Sequence, residues 1–464
     1  MVFSSLLFLF IFLPAVLLVY HLSPKRIRNV ILLVASLIFY AWGEPIYIAL
    51  MLFSTCTDYI FGLLLDGEKK SEATRKWILT ASIIVNLGVL GFFKYADFLI
   101  GNVNALLGTS IPPTDLPLPI GISFYTFQSM SYIIDVYRRT SKAQRNWLDF
   151  ATFVALFPQL VAGPIVRYNT IVEQLRERFV NNEMFAEGVR RFTIGLAKKV
   201  LLANNIGMLW NEISAGHLNT MPVLTAWLGI IAFAFQIYFD FSGYSDMAIG
   251  LGLMFGFRIN ENFNKPYTAQ SITDFWRRWH ISLGTWFREY VYIPLGGNRR
   301  GLSIQLRNIL IVWALTGIWH GASWNFLFWG LYFGLVLMIE KWFALELLSK
   351  LPRWIRHSYA LFLILIGWVF FAFDKLPDMT AYFGAMFGAN GSPLWDQQTI
   401  YLFYTNAILL LLLIVASMQR PRGIRADGTL LHPAVALVWH GILFLISVAY
   451  LVDATFNPFL YFRF

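Results

Sequence analysis

Two histidines in apolar surroundings are the residues of this sequence best suited to chemistry. His320 lies inside the apolar run from Ile309 to Ile339, about 11 residues and so roughly 16 Å of helix from its start. An ionisable side chain at membrane depth is costly unless it is used or satisfied. A desolvated neutral imidazole suits a general base that removes a hydroxyl proton. A core histidine bonded to a backbone carbonyl is the structural alternative.

The second histidine, His280, lies in the segment from Ser271 to Arg288. Ser271 and Asp274 have the spacing of a helix N-cap and third helical residue, which predicts a helix start. At about 100° per residue, the aromatic side chains of the segment share one arc and its arginines lie opposite, which predicts an interfacial helix. His280 lies at the border of that arc, within reach of a buried cavity. A surface histidine at headgroup level is the alternative.

Two carboxylates, Asp240 and Asp246, lie in the apolar run 223–257. At membrane depth they need a cation, several donors or a raised pKa. They could orient a histidine, bind a coupling ion or hold a broken helix together. The sequence leaves these roles open.

The composition predicts an all-α, polytopic integral membrane protein. Of the 464 residues, 58% are hydrophobic and only 13% are charged, which is too apolar for a soluble protein of this length. The basic residues behind the net charge of +10 form short clusters between apolar runs, as in cytoplasmic loops, so no nucleic-acid partner is expected. One membrane-embedded domain is expected to span residues 1–464. The single cysteine, Cys56, excludes an intrachain disulfide and fits a packing role.

The apolar runs predict about eleven to thirteen tilted membrane spans. Gly43-Glu44-Pro45 should split the run 30–65 into two helices, and the long runs 223–257 and 308–340 should be either tilted or broken at glycines. The proline-rich segment 111–119 predicts an extended loop. The run 2–20 is expected to be a retained first span, because it lacks a basic start and a cleavage site.

Several familiar catalytic motifs are missing from the sequence. It contains no Gly-Xaa-Ser-Xaa-Gly elbow, no His-Glu-Xaa-Xaa-His pair, no phosphate-binding Gly-Lys-Ser/Thr loop and no dinucleotide fingerprint. An enzyme built from this chain is therefore expected to use histidine without a metal.

Seven ordered blocks of the chain resemble the membrane-bound O-acyltransferase family. They are Met1-Val2-Phe3-Ser4-Ser5, the segments 118–128, 157–165 and 240–246, Arg277-Arg278-Trp279-His280-Ile281-Ser282-Leu283, Gly317-Ile318-Trp319-His320-Gly321-Ala322, and the terminal segment 457–464. The resemblance covers essentially the whole chain. Within the family it is to the bacterial alginate O-acetylation branch, which is related to the D-alanyl-teichoic-acid transferases.

The resemblance implies a fold, a site and a partner. The fold would be a ring of tilted helices around a thinned centre with a tunnel, in the bacterial cytoplasmic membrane. His320 would be the catalytic residue and His280 the second site residue. His280 could orient the acceptor, assist proton transfer or help hold the thioester. The acyl group would pass from a cytoplasmic thioester such as acetyl-CoA to an extracytoplasmic polysaccharide, with an SGNH-hydrolase-like partner completing the transfer.

A coenzyme A donor carries phosphates, which favour a basic mouth to the site. Arg299 and Arg300, in a flexible glycine-rich turn between the two histidine segments, are the candidates to bind them, and Lys198-Lys199 is a second possibility. Asn325 is a candidate to support the site from behind. Alternatively, these basic residues serve only to set the orientation of the chain in the membrane, as basic clusters in cytoplasmic loops do.

Two other functions remain open at this point. An ion-coupled transporter could use Asp240, Asp246 and His320 as a relay, and would show substrate flux without a thioester. A lipid-linked glycosyltransferase would need a large acidic extracytoplasmic loop, whereas the polar loops here are short and partly basic.

Overall fold

The computed structural model describes residues 1–67, 70–161, 163–418, 433–453 and 460. Of the sequence features above, Ala162 in the block 157–165 and all of the terminal block 457–464 except Leu460 lie outside the described residues.

The regular structure of the described residues is helical throughout. The first ten α-helices are α1 (Leu13–Leu22), α2 (Arg28–Ala41), α3 (Ile48–Leu65), α4 (Glu72–Leu107), α5 (Ile122–Tyr137), α6 (Trp147–Ala155), α7 (Phe157–Leu160), α8 (Tyr168–Arg176), α9 (Asn182–Ala197) and α10 (Asn204–Ser214). The next ten are α11 (Val223–Met254), α12 (Ile272–Trp276), α13 (Ile281–Phe287), α14 (Leu302–His320), α15 (Trp324–Ile339), α16 (Leu345–Ser349), α17 (Arg353–Ala372), α18 (Leu376–Met386), α19 (Gln397–Ser417) and α20 (Pro433–Asp453).

Shorter segments lengthen or join these helices. Wider π-helical turns occur at Phe8–Phe12, Lys198–Ala203, Arg288–Tyr292 and Glu340–Ala344. Tighter 3₁₀ turns occur at Lys25–Ile27 and Pro266–Thr268. Two of the π-helical turns, at 288–292 and 340–344, flank the region of the candidate site described below.

The chain groups into two compact units. The first comprises Met1–Phe192 and Tyr244–Asn260, and the second comprises Thr193–Gly243 and Glu261–Phe464. In the first unit α3 packs against both α4 and α5, and α2 packs against α6. In the second unit α14 packs along α15, which in turn packs against α17. The single domain expected over 1–464 stays a prediction.

Seven helices of the described residues are long and apolar enough to cross a membrane, namely α3, α4, α11, α14, α17, α19 and the Ala434–Asp453 part of α20. This confirms the all-α polytopic class. The number is smaller than the eleven to thirteen spans expected, because several apolar runs fold as shorter helices. The N-terminal run, for example, is helical from Phe8 to Leu22, which is shorter than the seven.

The expected breaks in the long runs have different outcomes. The run 30–65 divides into α2 and α3 around Gly43-Glu44-Pro45, as predicted. The run 308–340 divides into α14 and α15 at residues 321–323, also as predicted. The run 223–257 is not broken at its glycines. It forms one continuous helix, α11, of 32 residues that ends at Met254. Segment 111–119 has no regular structure, as expected.

The continuous interfacial helix predicted for 271–288 is wrong. Ser271 does cap a helix, and its hydroxyl accepts the backbone N–H of Asp274 at 3.0 Å. That helix, α12, ends at Trp276, and the next, α13, starts at Ile281. Between them His280 adopts φ 45° and ψ 53°, the left-handed region that a continuous helix excludes. The helical projection therefore does not apply at His280.

Candidate functional site

The helix pair α14–α15, which ends at His320, is packed through glycines. A Cβ atom at Gly317 would lie 3.2 Å from the Cα of Gly330 and even nearer to the carbonyl oxygen of Phe326. Gly330 is equally restricted, because a Cβ there would lie 3.0 Å from the Cα of Gly317. Small residues let two membrane helices approach until their backbones touch. The close approach fixes the end of α14, and His320 is its last residue.

Aromatic side chains surround the imidazole of His320. Its ring centroid lies 4.9 Å from that of Trp329 and 5.4 Å from that of Phe371, both in edge-on arrangements. The whole His320 residue is only 5% exposed. The predicted supporting residue, Asn325, is fully buried and its amide donates to the carbonyl oxygen of Phe370 at 3.2 Å. It therefore ties the start of α15 to α17.

The turn that carries His280 is held by Asn262. The backbone carbonyl of Asn262 accepts the N–H of Ile281 at 3.0 Å, and its side-chain oxygen accepts the N–H of Ser282 at 3.1 Å. His280 Nδ1 lies 3.2 Å from the same side-chain oxygen. Burial lowers the pKa of His280 to about 3, so its ring is neutral at physiological pH. Sequence reasoning missed Asn262 because nothing in its local pattern distinguishes it.

Both histidines line one cavity of about 970 Å³ in the second unit. The cavity wall also includes Arg299 and Arg300 from the glycine-rich turn, so the structure brings all four predicted site residues together. Its other polar or charged lining residues are Thr273, Arg277, Thr285, Arg288, Tyr292, Asn298, Gln305, Thr316 and Lys341. The histidines are buried, whereas Arg299 and Arg300 are exposed. The cavity therefore connects a basic surface to a buried neutral centre.

The lining residues that the structure describes include five arginines or lysines and no carboxylate. Burial and the neighbouring Arg277 lower the pKa of Lys341, an effect that Glu340 partly opposes. Crowded cations of this kind favour an anionic ligand. Arg277, Arg288 and Lys341 were not predicted. Arg277 was visible in the histidine-containing block, but the helical projection placed it on the opposite face.

The mid-membrane carboxylates are held by basic partners. Asp240 pairs with Lys199 at 2.7 Å, and Asp246 pairs with Arg191 at 2.7 Å. Asp240 also accepts the backbone N–H of Leu460 at 2.7 Å. Lys199 is buried in this pair and absent from the cavity wall, which contradicts its expected role as a phosphate ligand. The paired carboxylates tie neighbouring helices together and give an ion relay no support.

Comparison with known proteins agrees with this geometry. Residues 139–376 match the model of MBOAT, the membrane-bound O-acyltransferase family. The chain is 43% identical to the probable alginate O-acetylase AlgI of Azotobacter vinelandii, with both chains covered completely. It is 34% identical to the peptidoglycan O-acetyltransferase of Helicobacter pylori, over 84% of this chain and 80% of the relative.

A more distant similarity extends the same chemistry. The teichoic acid D-alanyltransferase of Bacillus subtilis is 27% identical over 53% of this chain and 64% of the relative. Full-length similarity, a helical membrane fold and two histidines in one cavity lead to a single assignment. The chain belongs to the membrane-bound O-acyltransferase family, in the branch of the alginate O-acetylases, and is a multi-pass membrane O-acyltransferase.

Proposed function

We propose that this acyltransferase takes an acetyl group from acetyl-CoA on the cytoplasmic side of the bacterial inner membrane and delivers it for O-acetylation of an extracytoplasmic polysaccharide. The observation that carries the proposal is the shared cavity, in which buried His320 and His280 are joined to exposed Arg299 and Arg300. A coenzyme A thioester has phosphates at one end and the reacting carbonyl at the other. The cavity offers complementary groups in the same order.

His320 is the proposed general base. It takes the proton of an acceptor hydroxyl while that oxygen attacks the thioester carbonyl carbon. The carbon–sulfur bond then breaks, the ester forms, and the coenzyme A thiolate leaves and is protonated. The rings of Trp329 and Phe371 lie edge-on to the His320 imidazole and shield it from water.

The basic residues of the mouth are proposed to bind the donor. Arginine guanidinium groups form paired, charge-assisted hydrogen bonds with phosphates. Arg299 and Arg300 follow Gly296 and Gly297, both of which have positive φ, so the turn is shaped by glycine rather than by side-chain packing. Donor binding at this turn needs no metal ligand from the chain.

A separate extracytoplasmic protein of the SGNH-hydrolase type is proposed to complete transfer to the polymer. The alginate and peptidoglycan acetylation named for the relatives supports a polysaccharide as the final acceptor. The longest connection between the described α-helices, residues 255–271, is too short to form a separate soluble domain, which supports delivery of the acyl group to a partner rather than capture of a polymer by this chain.

The test is transfer of radiolabelled acetyl from acetyl-CoA by the purified protein, with and without the extracytoplasmic partner. We expect His320→Ala to lose transfer by at least about 100-fold, the low end of general acid–base contributions. His440→Gln, which changes a histidine of α20 that does not line the cavity, is the matched control. A fully active His320→Ala variant would refute the proposed base.

The donor site has its own test. Replacing Arg299 and Arg300 with alanine should raise KM for acetyl-CoA about tenfold, the value of one lost charge-assisted hydrogen bond, and leave kcat nearly unchanged. The exposed Arg353→Ala, on α17 and outside the cavity wall, is the control for general charge removal. An unchanged KM in the double variant would exclude these arginines from donor binding.

A further inference from the structure

Asn262 faces the His280 turn with its side-chain oxygen. The residue is fully buried, and that oxygen accepts both the backbone N–H of Ser282 at 3.1 Å and the Ser282 hydroxyl at 2.9 Å. A backbone N–H is always a donor, so the group that it meets must be the amide oxygen and not the amide nitrogen. The orientation of the Asn262 amide is therefore determined by the backbone.

This orientation decides where the proton of His280 lies. Nδ1 is 3.2 Å from the Asn262 oxygen, which can only accept. An unprotonated Nδ1 would place two lone pairs against each other. The Ser282 hydroxyl, 3.4 Å from Nδ1, donates to Asn262 and so has its own lone pairs available to the same N–H. A neutral imidazole has only one proton, and burial keeps the His280 ring neutral.

The same contacts hold a backbone that would otherwise relax. His280 has φ 45°, in the left-handed region that non-glycine residues rarely adopt. Besides the two Ser282 bonds, the backbone carbonyl of Asn262 accepts the N–H of Ile281 at 3.0 Å. The backbone N–H of Asn264 donates to the carbonyl of Arg278 at 2.9 Å, on the other side of the turn.

We infer that Asn262, assisted by Ser282, is a positioning residue that holds His280 as the Nδ1-protonated tautomer, so that Nε2 is the hydrogen-bond acceptor of the ring. This inference rests on the proposed function and narrows the role of His280 within it. A ring whose Nε2 lacks a proton does not donate to an oxyanion. It accepts a hydrogen bond, so it can hold the proton of the acceptor hydroxyl while the acceptor binds, before that proton passes to His320 during the attack.

The test compares Asn262→Ala and Asn262→Leu with the control Asn264→Ala. Leucine keeps much of the side-chain volume, so at least one variant is expected to fold, which thermal unfolding of the purified protein checks. Asn264 belongs to the same segment but is exposed, and only its backbone holds the turn. Each variant is assayed with acetyl-CoA, and its histidine ring nitrogens are labelled with nitrogen-15.

The labelled protein contains seven histidines, and the His280 signals are identified by their loss in His280→Gln. In the wild type we expect the protonated-type shift at Nδ1 and the unprotonated-type shift at Nε2. The Asn262 variants should exchange these shifts in a substantial share of molecules. Their kcat should fall by about 10- to 10⁴-fold, the upper value being the cost of a wrong tautomer at a catalytic histidine, while KM for acetyl-CoA stays within about twofold.

The outcomes separate this inference from the proposed function. If His280→Gln is fully active, the role of His280 in the proposed function fails, whatever its tautomer. If His280→Gln is inactive but a folded Asn262 variant keeps both kcat and the nitrogen shifts, the inference about Asn262 is refuted. A wild-type spectrum with the proton on Nε2 refutes it as well. A rise in KM for acetyl-CoA at unchanged kcat would contradict the acceptor-hydroxyl role.

Discussion

The glycine contact between α14 and α15 predicts that Gly317→Ala impairs catalysis without touching the cavity. A Cβ atom at Gly317 would lie under 3.0 Å from the carbonyl oxygen of Phe326, whereas ordinary contact begins at 3.4 Å. The obstacle is the backbone of α15, so a rotamer change cannot relieve it. The helices must separate by more than 0.4 Å, and the shift occurs one helical turn before His320.

The size of the effect follows from this displacement. A misplacement of about 1 Å costs on the order of 100-fold in rate, and the added methyl group requires a shift of at least about half that size, so kcat is expected to fall by about tenfold or more. Overpacking of a tight contact also destabilises by about 1–3 kcal/mol. Both effects arise from the same methyl group. We therefore expect slower acetyl transfer together with a lower thermal unfolding temperature.

The assay is acetyl transfer by purified Gly317→Ala, with Gly88→Ala as the matched control. Gly88 lies in the membrane helix α4, and a Cβ atom there would meet nothing within 4 Å. Gly334→Ala is an intermediate case, because its nearest neighbour would be the Trp313 side chain at 3.1 Å. Equal turnover in all three variants would refute the argument that backbone contact positions His320.

Three further results are expected. Lys199→Met should lower the free energy of unfolding by about 3–5 kcal/mol in chemical denaturation, because it leaves the charge of Asp240 buried and uncompensated. Adding Asp240→Asn to this variant should recover much of the lost stability. No recovery would contradict the pairing of Lys199 with Asp240. Burial lowers the pKa of His280 in the folded protein to about 3 from its ordinary 6.5, so between pH 7 and pH 5 the unfolded chain binds a proton that the folded protein does not. Lowering the pH from 7 to 5 should therefore destabilise the wild type by about 2 kcal/mol more than it destabilises His280→Gln. Equal losses in the two proteins would contradict the lowered pKa. Phe371→Ala should increase turnover of butyryl-CoA relative to acetyl-CoA by about tenfold or more, because it removes a ring that contacts His320 and opens space there. An unchanged ratio would show that Phe371 does not limit the size of the acyl group.

The helical architecture could be predicted from the sequence because its signals are local. Apolar runs and their interruptions are read directly from neighbouring residues, which is why the breaks at Gly43-Glu44-Pro45 and after His320 were found. The same runs predict more spans than the seven long apolar helices of the described residues. Apolar composition does not distinguish a helix that crosses a membrane from a shorter one packed inside the protein.

The His280 turn could not be predicted because its cause is distant in sequence. A cap at Ser271 and an amphipathic pattern both favour one helix from 271 to 288. The oxygens of Asn262, 18 residues before His280, instead satisfy the N–H groups of Ile281 and Ser282. Tertiary hydrogen bonds thus outweigh local helix preference, and the direction of His280 follows from them.

The partners of the mid-membrane carboxylates were hidden in a similar way. Asp240 and Asp246 stand six residues apart on α11, and the sequence offers nearby serines and Tyr244 as donors. Their partners are instead cations on other segments, Lys199 and Arg191. A pair of intramembrane acids is therefore a weak indicator of ion transport until nearby cations have been excluded.

The arrangement of charge in the cavity fits the two halves of the proposed donor, a coenzyme A thioester. The His280 ring is neutral because it is desolvated, so no permanent positive charge has to be buried beside the reacting carbonyl. Arg299 and Arg300 are exposed, so water solvates their charges until the phosphates of the donor take the place of that water. Reversing the two, with arginine at the buried end and histidine at the mouth, would bury an uncompensated charge and leave the phosphates a weak partner. The order of residues from mouth to centre is thus the one that solvation favours for a donor with a charged end and a neutral reactive end.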